Sequence, residues 1–396
     1  MCGAKGISQY GGFESFVQNL IEAHKDNKSI KYHIMCKANG QGSMDVSKLE
    51  GASEVVNGTF EYCNAMCHLV EVPDYLGSAQ AVIYDIKSLK LICDHIKANK
   101  VENPAVYILA CRIGPFVHKY VNMIHNCGGK VFLNPDGHEW MRRKWSKGVR
   151  MYWKLSEKLM VKHADRIICD SKHIEDYIKS DYCNYNPSTT YISYGAHMTP
   201  SEIADDDEKI VNWYEAHNAK PGKYYLVVGR FVNENNYDVI IREFMKSTSC
   251  KKLVIITTEN KPLMDQIEQE TGYKSDERII FANPVYDLEL LKKIRENAYA
   301  YIHGHEVGGT NPSLLEALAS TKLNLVLGVG FNKEVVEDAA FCWEKDEDSL
   351  KEVINMSEKL LPEEAEEMGI KAKNRIKDHY SWKLIADEYE KEFCKA

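Results

Sequence analysis

The sequence predicts an α/β protein of two doubly wound domains, each with parallel strands joined by crossover helices, facing one another across a cleft. Three observations carry that expectation. A chain of 396 residues is long for one core, and two domains of about 200 residues each is the natural division. Short apolar β-type runs alternate with longer amphipathic stretches along the whole chain. That alternation restarts after Ala196 to Asp207, a polar stretch with Pro200, Ser201 and the start of the acidic run Asp205-Asp206-Asp207-Glu208.

In the first half the expected strands are Tyr32–Cys36, Glu54–Val56, Ala81–Tyr84, Ala105–Ala110, Lys130–Leu133, Arg166–Cys169 and Thr189–Ile192, rich in β-branched and aromatic residues. Amphipathic spacing places helices at Gly12–His24, Ile86–Ala98, Pro115–Asn126, Lys147–His163 and Ile174–Ser180. In the second half strands are expected at Tyr224–Val228, Lys252–Ile256, Ile279–Phe281, Ala300–Ile302 and Leu323–Leu327, with helices between them. The glycine-rich run Gly3 to Gly12 reads as a strand-to-helix turn with almost nothing before it to form the strand. Because that first strand is central in doubly wound sheets, either a native start upstream of Met1, the favoured reading, or a sheet that tolerates its loss is expected.

Bulk properties exclude several classes. A net charge of −8 argues against a nucleic-acid binder. No stretch approaches the ~20 apolar residues of a membrane-spanning helix, and Met1 to Gly6 carries no apolar signal segment, so a cytoplasmic protein is expected. The 12 cysteines, many in apolar contexts such as Ile168-Cys169 and Ala110-Cys111, read as reduced and mostly buried. Cys63, Cys67 and His68 cluster without an evident fourth ligand, so no metal site is expected there. One segment departs from the acidic balance. Arg142, Arg143, Lys144, Lys147, Arg150, Lys154, Lys158 and Lys162 outnumber Glu139 and Glu157, with Trp140, Trp145, Tyr152 and Trp153 interleaved. Two readings stand: a solvated helix face with its aromatics in the core, or a patch for anionic lipid headgroups or a lipid diphosphate.

Four constellations carry chemistry. His303-Gly304-His305-Glu306-Val307-Gly308-Gly309-Thr310-Asn311-Pro312-Ser313 follows a predicted strand and enters a helix near Pro312. Its Gly-Gly-Thr turn would turn unpaired N–H groups and the positive helix end toward a phosphate, and Pro312 suits the first helical turn. Glu316, one turn on, is placed to accept hydrogen bonds from ribose hydroxyls. His303, His305 and Glu306 invite a metal reading, against which packing in the core or cleft is the simpler role. The second constellation, Val228-Gly229-Arg230-Phe231-Val232-Asn233-Glu234-Asn235-Asn236, closes the first strand of the second domain, where ligands collect in such sheets. The third, Asn134-Pro135-Asp136-Gly137-His138-Glu139-Trp140, follows the strand Lys130–Leu133. Asp136 either caps the next helix or presents a carboxylate to a ligand at the strand end. In the fourth, Gly11 and Gly12 let backbone approach a ligand and Glu14 sits in the first helical turn; a tight turn with no ligand is the alternative.

The run ending in Glu316 resembles the donor-site motif of retaining GT-B glycosyltransferases of family 4, with Glu316 matching the glutamate that holds the ribose. The family's earlier glutamate falls on Gly308, so its role is lost or passes to backbone amides or Glu306. More narrowly the chain resembles the bacterial β-1,4-rhamnosyltransferases of capsule and cell-wall polysaccharide synthesis. The Gly-x-Lys-Gly-Ile…Tyr-Gly-Gly-Phe-Glu start, the Asn-Pro-Asp-Gly-x-Glu-Trp core and the His-Gly-His-x-Val-Gly-Gly-Thr-Asn-Pro-Ser tail span nearly the whole chain. The resemblance implies an N-terminal acceptor-side domain of residues 1–197, with a last helix, about 378–396, packing back onto it. It implies a nucleotide-sugar domain at 198–377. Catalysis would rest on Asp136, Arg230 and Glu316. The donor would meet Arg230, Glu234, Asn235, Tyr286, Gly308, Gly309, Thr310, Asn311 and Glu316. Asn235 stands where relatives carry a lysine on the diphosphate. The acceptor would meet Gly11, Gly12, Glu14, Asp136, Arg143 and Lys144, with Met141 replacing a residue that is often basic. No metal or other cofactor is implied. The implied donor is dTDP-L-rhamnose, and the acceptor a polyprenyl-diphosphate-linked sugar at the cytosolic membrane face. Two rivals are a UDP-glucose or UDP-N-acetylglucosamine transferase, decided by the pocket near Thr257, Thr258 and Tyr286, and a non-catalytic nucleotide-sugar-binding scaffold.

Overall fold

The computed structural model describes residues 1–7, 11–40, 42–142 and 145–395. The chain divides into two compact units, Met1–Tyr194 with Trp382–Ala396, and Gly195–Ser381. The first unit runs α1 (Gly12–Ala23), β1 (Tyr32–Lys37), β2 (Thr59–Tyr62), β3 (Ala65–Val70), α2 (Gln80–Ala98) and β4 (Ala105–Leu109). It continues with α3 (Gly114–His125), β5 (Lys130–Asn134), α4 (Lys147–His163), β6 (Arg166–Cys169), α5 (Lys172–Asp181) and β7 (Thr189–Tyr191). β4-β5-β6-β7 form a fully parallel sheet, while β1 pairs in parallel with β3, whose other edge takes antiparallel β2.

Residues 1–5 join the two sheets. The Met35 and Lys37 amides donate to Met1 O and Lys5 O at 3.1 and 2.7 Å on one side. On the other, Leu109 N–H donates to Cys2 O at 2.8 Å and Cys2 N–H to Tyr107 O at 2.9 Å. A few residues thus occupy the central-strand position that a doubly wound sheet needs.

Two strand expectations fail. Ala81–Tyr84 lies in the first turns of α2, whose buried Tyr84, Asp85, Ser88, Leu89, Ile92 and Cys93 recur at helical spacing. Tyr84 hydroxyl donates to Ala4 O and Met35 O, both at 2.7 Å, so tertiary contacts override local β propensity. Glu54–Val56 makes only a bridge from Val56 to Thr59; the strand is β2, where Phe60 and Tyr62 point inward on alternate positions.

The second unit runs α6 (Glu208–Ala216), β8 (Tyr224–Val228), α7 (Tyr237–Lys246), β9 (Lys252–Ile256), α8 (Lys261–Thr271), β10 (Ile279–Ala282) and α9 (Leu288–Glu296). Then follow β11 (Ala300–His303), α10 (Pro312–Ser320), β12 (Leu323–Leu327), α11 (Gly330–Val336), β13 (Phe341–Trp343), α12 (Ser349–Ser357) and α13 (Pro362–His379). The strands order β10-β9-β8-β11-β12-β13, all parallel. Counted within the unit this is 3-2-1-4-5-6, the doubly wound order that binds ligands where it reverses, between its first and fourth strands.

The last helix, α14 (Trp382–Phe393), belongs to the first unit. Tyr389 hydroxyl lies 3.2 Å from that of Tyr107, Phe393 packs edge-on to Phe132, and Arg166 pairs with Glu392 at 3.0 Å. All 12 cysteines are free, with Cys63, Cys183, Cys250, Cys342 and Cys394 exposed rather than buried. Among the described residues no helix is long and apolar enough to cross a membrane, and no three His, Cys, Asp or Glu side chains are grouped to hold a metal ion.

Candidate functional site

In the second unit, the loops after β8 and β11 flank the reversal point and are bound to one another. Glu306 N–H donates to Glu234 O at 3.0 Å, and Asn236 Nδ2 donates to Gly304 O at 2.8 Å. Ser313 and Tyr301 hydroxyls both reach Val228 O at 3.3 Å. Gly304 is required by this closeness, since a Cβ there would sit 2.4 Å from Asn235 O.

Arg230 lies on this edge with its side chain exposed, meeting no carboxylate among the described residues. Asn235 is committed to the scaffold: Nδ2 donates to Arg230 O and Oδ1 meets His305 Nδ1, both at 2.7 Å. The position therefore holds the two loops in register. Glu234 is buried, with Oε1 lacking a partner. Gly308 has φ +111°, open to glycine alone without strain, and Gly309 and Thr310 are buried beside it. Asn311 caps α10, its Oδ1 accepting Ser313 N–H at 2.9 Å, and Pro312 follows as the first helical residue. The turn thus leads into a nine-residue helix whose positive end faces the loop. Tyr286 is exposed in the loop after β10.

Glu316 stands one turn into α10, its carboxylate 2.6 Å from Nη2 of Arg295 on α9. Arg295 is 6% exposed and Glu316 46%, so the buried cation fixes the root of a carboxylate that still meets solvent. Arg295 Nη2 also donates to Ser313 Oγ at 3.3 Å, while its Nε has no partner. Sequence reasoning missed Arg295, because nothing in the amphipathic pattern of α9 separates it from a surface cation. Glu306, a possible heir to the earlier glutamate, pairs instead with Lys345. His303 is core: burial, then the nearby His305, pushes its imidazole down to about 3.

In the first unit, the C-terminal strand edge gathers charge. Asn134 ends β5 and its Oδ1 accepts Asp136 N–H at 2.8 Å. Asp136, Gly137 and His138 have φ of +63°, +89° and +53°, a run of left-handed residues that turns the chain sharply. Asp136 is half-buried and is not the N-cap of the following 3-10 turn, which starts from His138 with no side-chain cap. Gly137 is fixed twice over, by its φ and by Ile174 Cδ1, which a Cβ would approach to 2.5 Å. Glu14 Oε1 accepts Lys5 N–H at 2.8 Å, and its other oxygen lies where a Gly11 Cβ would be. Gly12 opens α1 with nothing within 4 Å of a Cβ. Arg143 and Lys144, expected at the acceptor, lie outside the described residues.

A second cation that sequence reasoning missed is Arg112, just beyond β4. Its Nη1 donates to Gly3 O at 2.9 Å and to the fully buried Asp85 at 3.0 Å. Burial works against the Arg112 charge, but Asp85, then Asp136 and Glu14, hold its affinity for the proton above the usual value. Asp136, Glu14 and Arg112 are therefore close enough to feel one another. A basic residue two positions past a predicted strand was the available signal.

Comparisons with known proteins bear on this arrangement. Residues 1–197 match a family model described as a domain of unknown function, DUF1972. A relative in Methanocaldococcus jannaschii, the uncharacterized glycosyltransferase MJ1069, is 25% identical over 281 residues, 69% of this chain and 68% of that protein. The structure is similar to sucrose-phosphate synthase from Thermosynechococcus elongatus, with TM-score 0.73 and 13% identity, covering 100% of this chain and 96% of that one. It is also similar to Anabaena HepE in complex with UDP and glucose, with TM-score 0.70 and 11% identity over 100% of each chain. The chain has the GT-B fold of these glycosyltransferases, and its first 197 residues match DUF1972.

Proposed function

We propose that the protein transfers a sugar from a nucleoside diphosphate donor to an acceptor hydroxyl, with retention at the anomeric carbon. One observation carries this reading. At the reversal point of the second sheet, two stitched loops present an exposed guanidinium, a Gly-Gly-Thr turn at a helix N-terminus and a carboxylate braced by buried Arg295. A diphosphate suits the amides and Arg230, and a sugar hydroxyl of the nucleoside, ribose or deoxyribose, suits Glu316.

The bond from the anomeric carbon to the diphosphate oxygen breaks as the acceptor oxygen bonds that carbon on the same face. The acceptor proton passes to the departing phosphate oxygen. Arg230 and the amides of Gly308 to Thr310 stabilise the leaving charge, so the reaction needs no metal in this reading. Asp136 orients the acceptor and offsets positive charge on the ring, with Gly11, Gly12 and Glu14 bordering the acceptor.

Within this class the donor we propose is dTDP-L-rhamnose and the acceptor a polyprenyl-diphosphate-linked sugar of bacterial surface polysaccharide synthesis. The three motifs that span the chain support it. The complex of HepE with UDP and glucose favours a second reading, a UDP-hexose donor. A thermal-shift panel of dTDP-L-rhamnose, UDP-glucose and UDP-N-acetylglucosamine separates the two, because a selective ligand stabilises by mass action. Equal shifts with all three sink the rhamnose assignment. Asp136→Asn should then abolish transfer while the nucleotide shift persists. Binding without turnover on any acceptor would instead mark a scaffold.

A further inference from the structure

The basic segment that the transferase reading leaves unused separates into two faces. Its aromatics turn inward: Trp145 Nε1 donates to Glu139 at 2.8 Å, Trp140 Nε1 to Tyr177 hydroxyl at 3.2 Å, and Tyr152 hydroxyl to Arg112 O at 2.7 Å. Lys154 is absorbed with them, 4.5 Å from the Trp140 ring centre and 3.1 Å from Asp181. Ser156, Glu157, Met160 and Val161 form the buried side of α4.

The outer side is different. Lys147, Met151, Leu155, Lys158 and Lys162 are all exposed. At ~100° per residue these five fall within an arc of about 80°. Met151 is 74% exposed and Leu155 50%, a degree unusual for apolar side chains one turn apart. α3 packs beside α4, where a Cβ on Gly114 would meet Ser156 O at 2.2 Å and the His118 and His163 ring centres lie 4.7 Å apart. α3 has no acidic residue and α4 only the buried Glu157, in a chain whose net charge is −8.

We propose that this outer face of α4 is a docking surface for a bilayer rich in anionic lipid. Met151 and Leu155 enter the acyl boundary while the lysines meet headgroup phosphates. The composition argues against a protein partner, since protein interfaces are depleted in lysine and anchored by Trp, Tyr and Arg. Here the tryptophans face inward. The inference stands on this face alone and does not depend on the transferase reading.

The test is co-sedimentation of the full chain with phosphatidylcholine vesicles, with and without about 30 mol% of an anionic lipid, phosphatidylglycerol. Binding is expected only to the anionic vesicles, weakening with salt. Each lysine near the surface contributes about a fivefold factor, so the Lys147→Ala/Lys158→Ala/Lys162→Ala variant should bind about a hundredfold more weakly. Met151→Ser/Leu155→Ser should remove the binding that survives high salt. Circular dichroism and Tm matching the parent show that the variants fold. Equal binding to neutral vesicles, no vesicle binding, or an unchanged triple variant overturns the proposal, as does capture of inorganic phosphate at this face without vesicle binding.

Discussion

Replacing Glu316 with alanine separates two roles of one carboxylate. In the free protein Glu316 neutralises Arg295 at 2.6 Å, and Arg295 keeps only the 3.3 Å contact to Ser313 and an unpaired Nε when the carboxylate is gone. Breaking a fully buried pair costs about 3–5 kcal/mol, but Glu316 is nearly half exposed, so screening reduces this to ~2 kcal/mol. For a unit of fewer than 200 residues that is a fall in Tm of about 4–8 °C. Loss of charge-assisted bonds to the ribose should weaken nucleotide binding as well, by up to ~100-fold for ~3 kcal/mol. Nucleotide at 100 times its Kd stabilises the parent by ~2.7 kcal/mol, but a variant a hundredfold weaker by only ~0.4 kcal/mol at the same concentration. Arg295→Met isolates the brace. It removes a buried charge and leaves Glu316 to solvent, so basal Tm should change little while part of the nucleotide shift is lost. The assay is thermal unfolding with and without UDP and dTDP. A Glu316→Ala protein that keeps the full nucleotide shift refutes the ribose role; an Arg295→Met protein that keeps it refutes the brace.

Three further outcomes follow from the geometry. Gly11→Ala should push the Glu14 carboxylate off the Lys5 amide, lowering stability by about 1 kcal/mol and raising acceptor KM, whereas Gly12→Ala, with open space around its Cβ, should be neutral or slightly stabilising. Paired Tm and transfer measurements compare them, and equal behaviour would count against the Glu14 contact. Asn235→Ala removes the bridge between Arg230 O and His305, so a loss of ~1–3 kcal/mol in chemical denaturation is expected. The histidine contribution to stability should be flat above pH ~6.5 and fall below it. His303 stays neutral in the fold down to about 3 while the unfolded chain takes up its proton near 6.5, a slope of up to ~1.4 kcal/mol per pH unit. His33, His68 and His138, held down to about 4 chiefly by burial, act in the same direction. A His303→Gln variant with an unchanged slope below pH 6.5 would remove His303 from that account.

The second unit was far more legible than the first. Its inner strands β8, β9, β11 and β12 are short apolar runs buried on both faces, and β8, β9 and β12 begin and end at the expected residues. The first unit hides β2 and β3, because Ala65–Val70 mixes Met, Cys and His and shows neither clean alternation nor a helical stripe. It also disguises the start of α2, where Ala81-Val82-Ile83-Tyr84 carries β-type residues and helix is chosen by what Tyr84 touches. Those partners, Ala4 and Met35, are distant in sequence, and a local window does not contain them.

The same divide governs the sites. Residues that act through their own backbone announce themselves: the Gly308 turn, the Asn311 cap, Pro312 and the Asn134-Asp136 turn all leave marks in adjacent residues. Residues that act through a partner far along the chain do not. Arg295 meets Glu316 only after β11 has been threaded between their helices, and Arg112 meets Asp85 only once α2 lies beside β4. Asn235 shows the sharper form of this. Viewed as a substitution for lysine it suggests a weakened donor site, yet its two bonds to Arg230 O and His305 belong to the turn itself. A lysine at that position has no acceptor for His305 Nδ1, so the departure from the related pattern is one that the neighbouring backbone and His305 make stable.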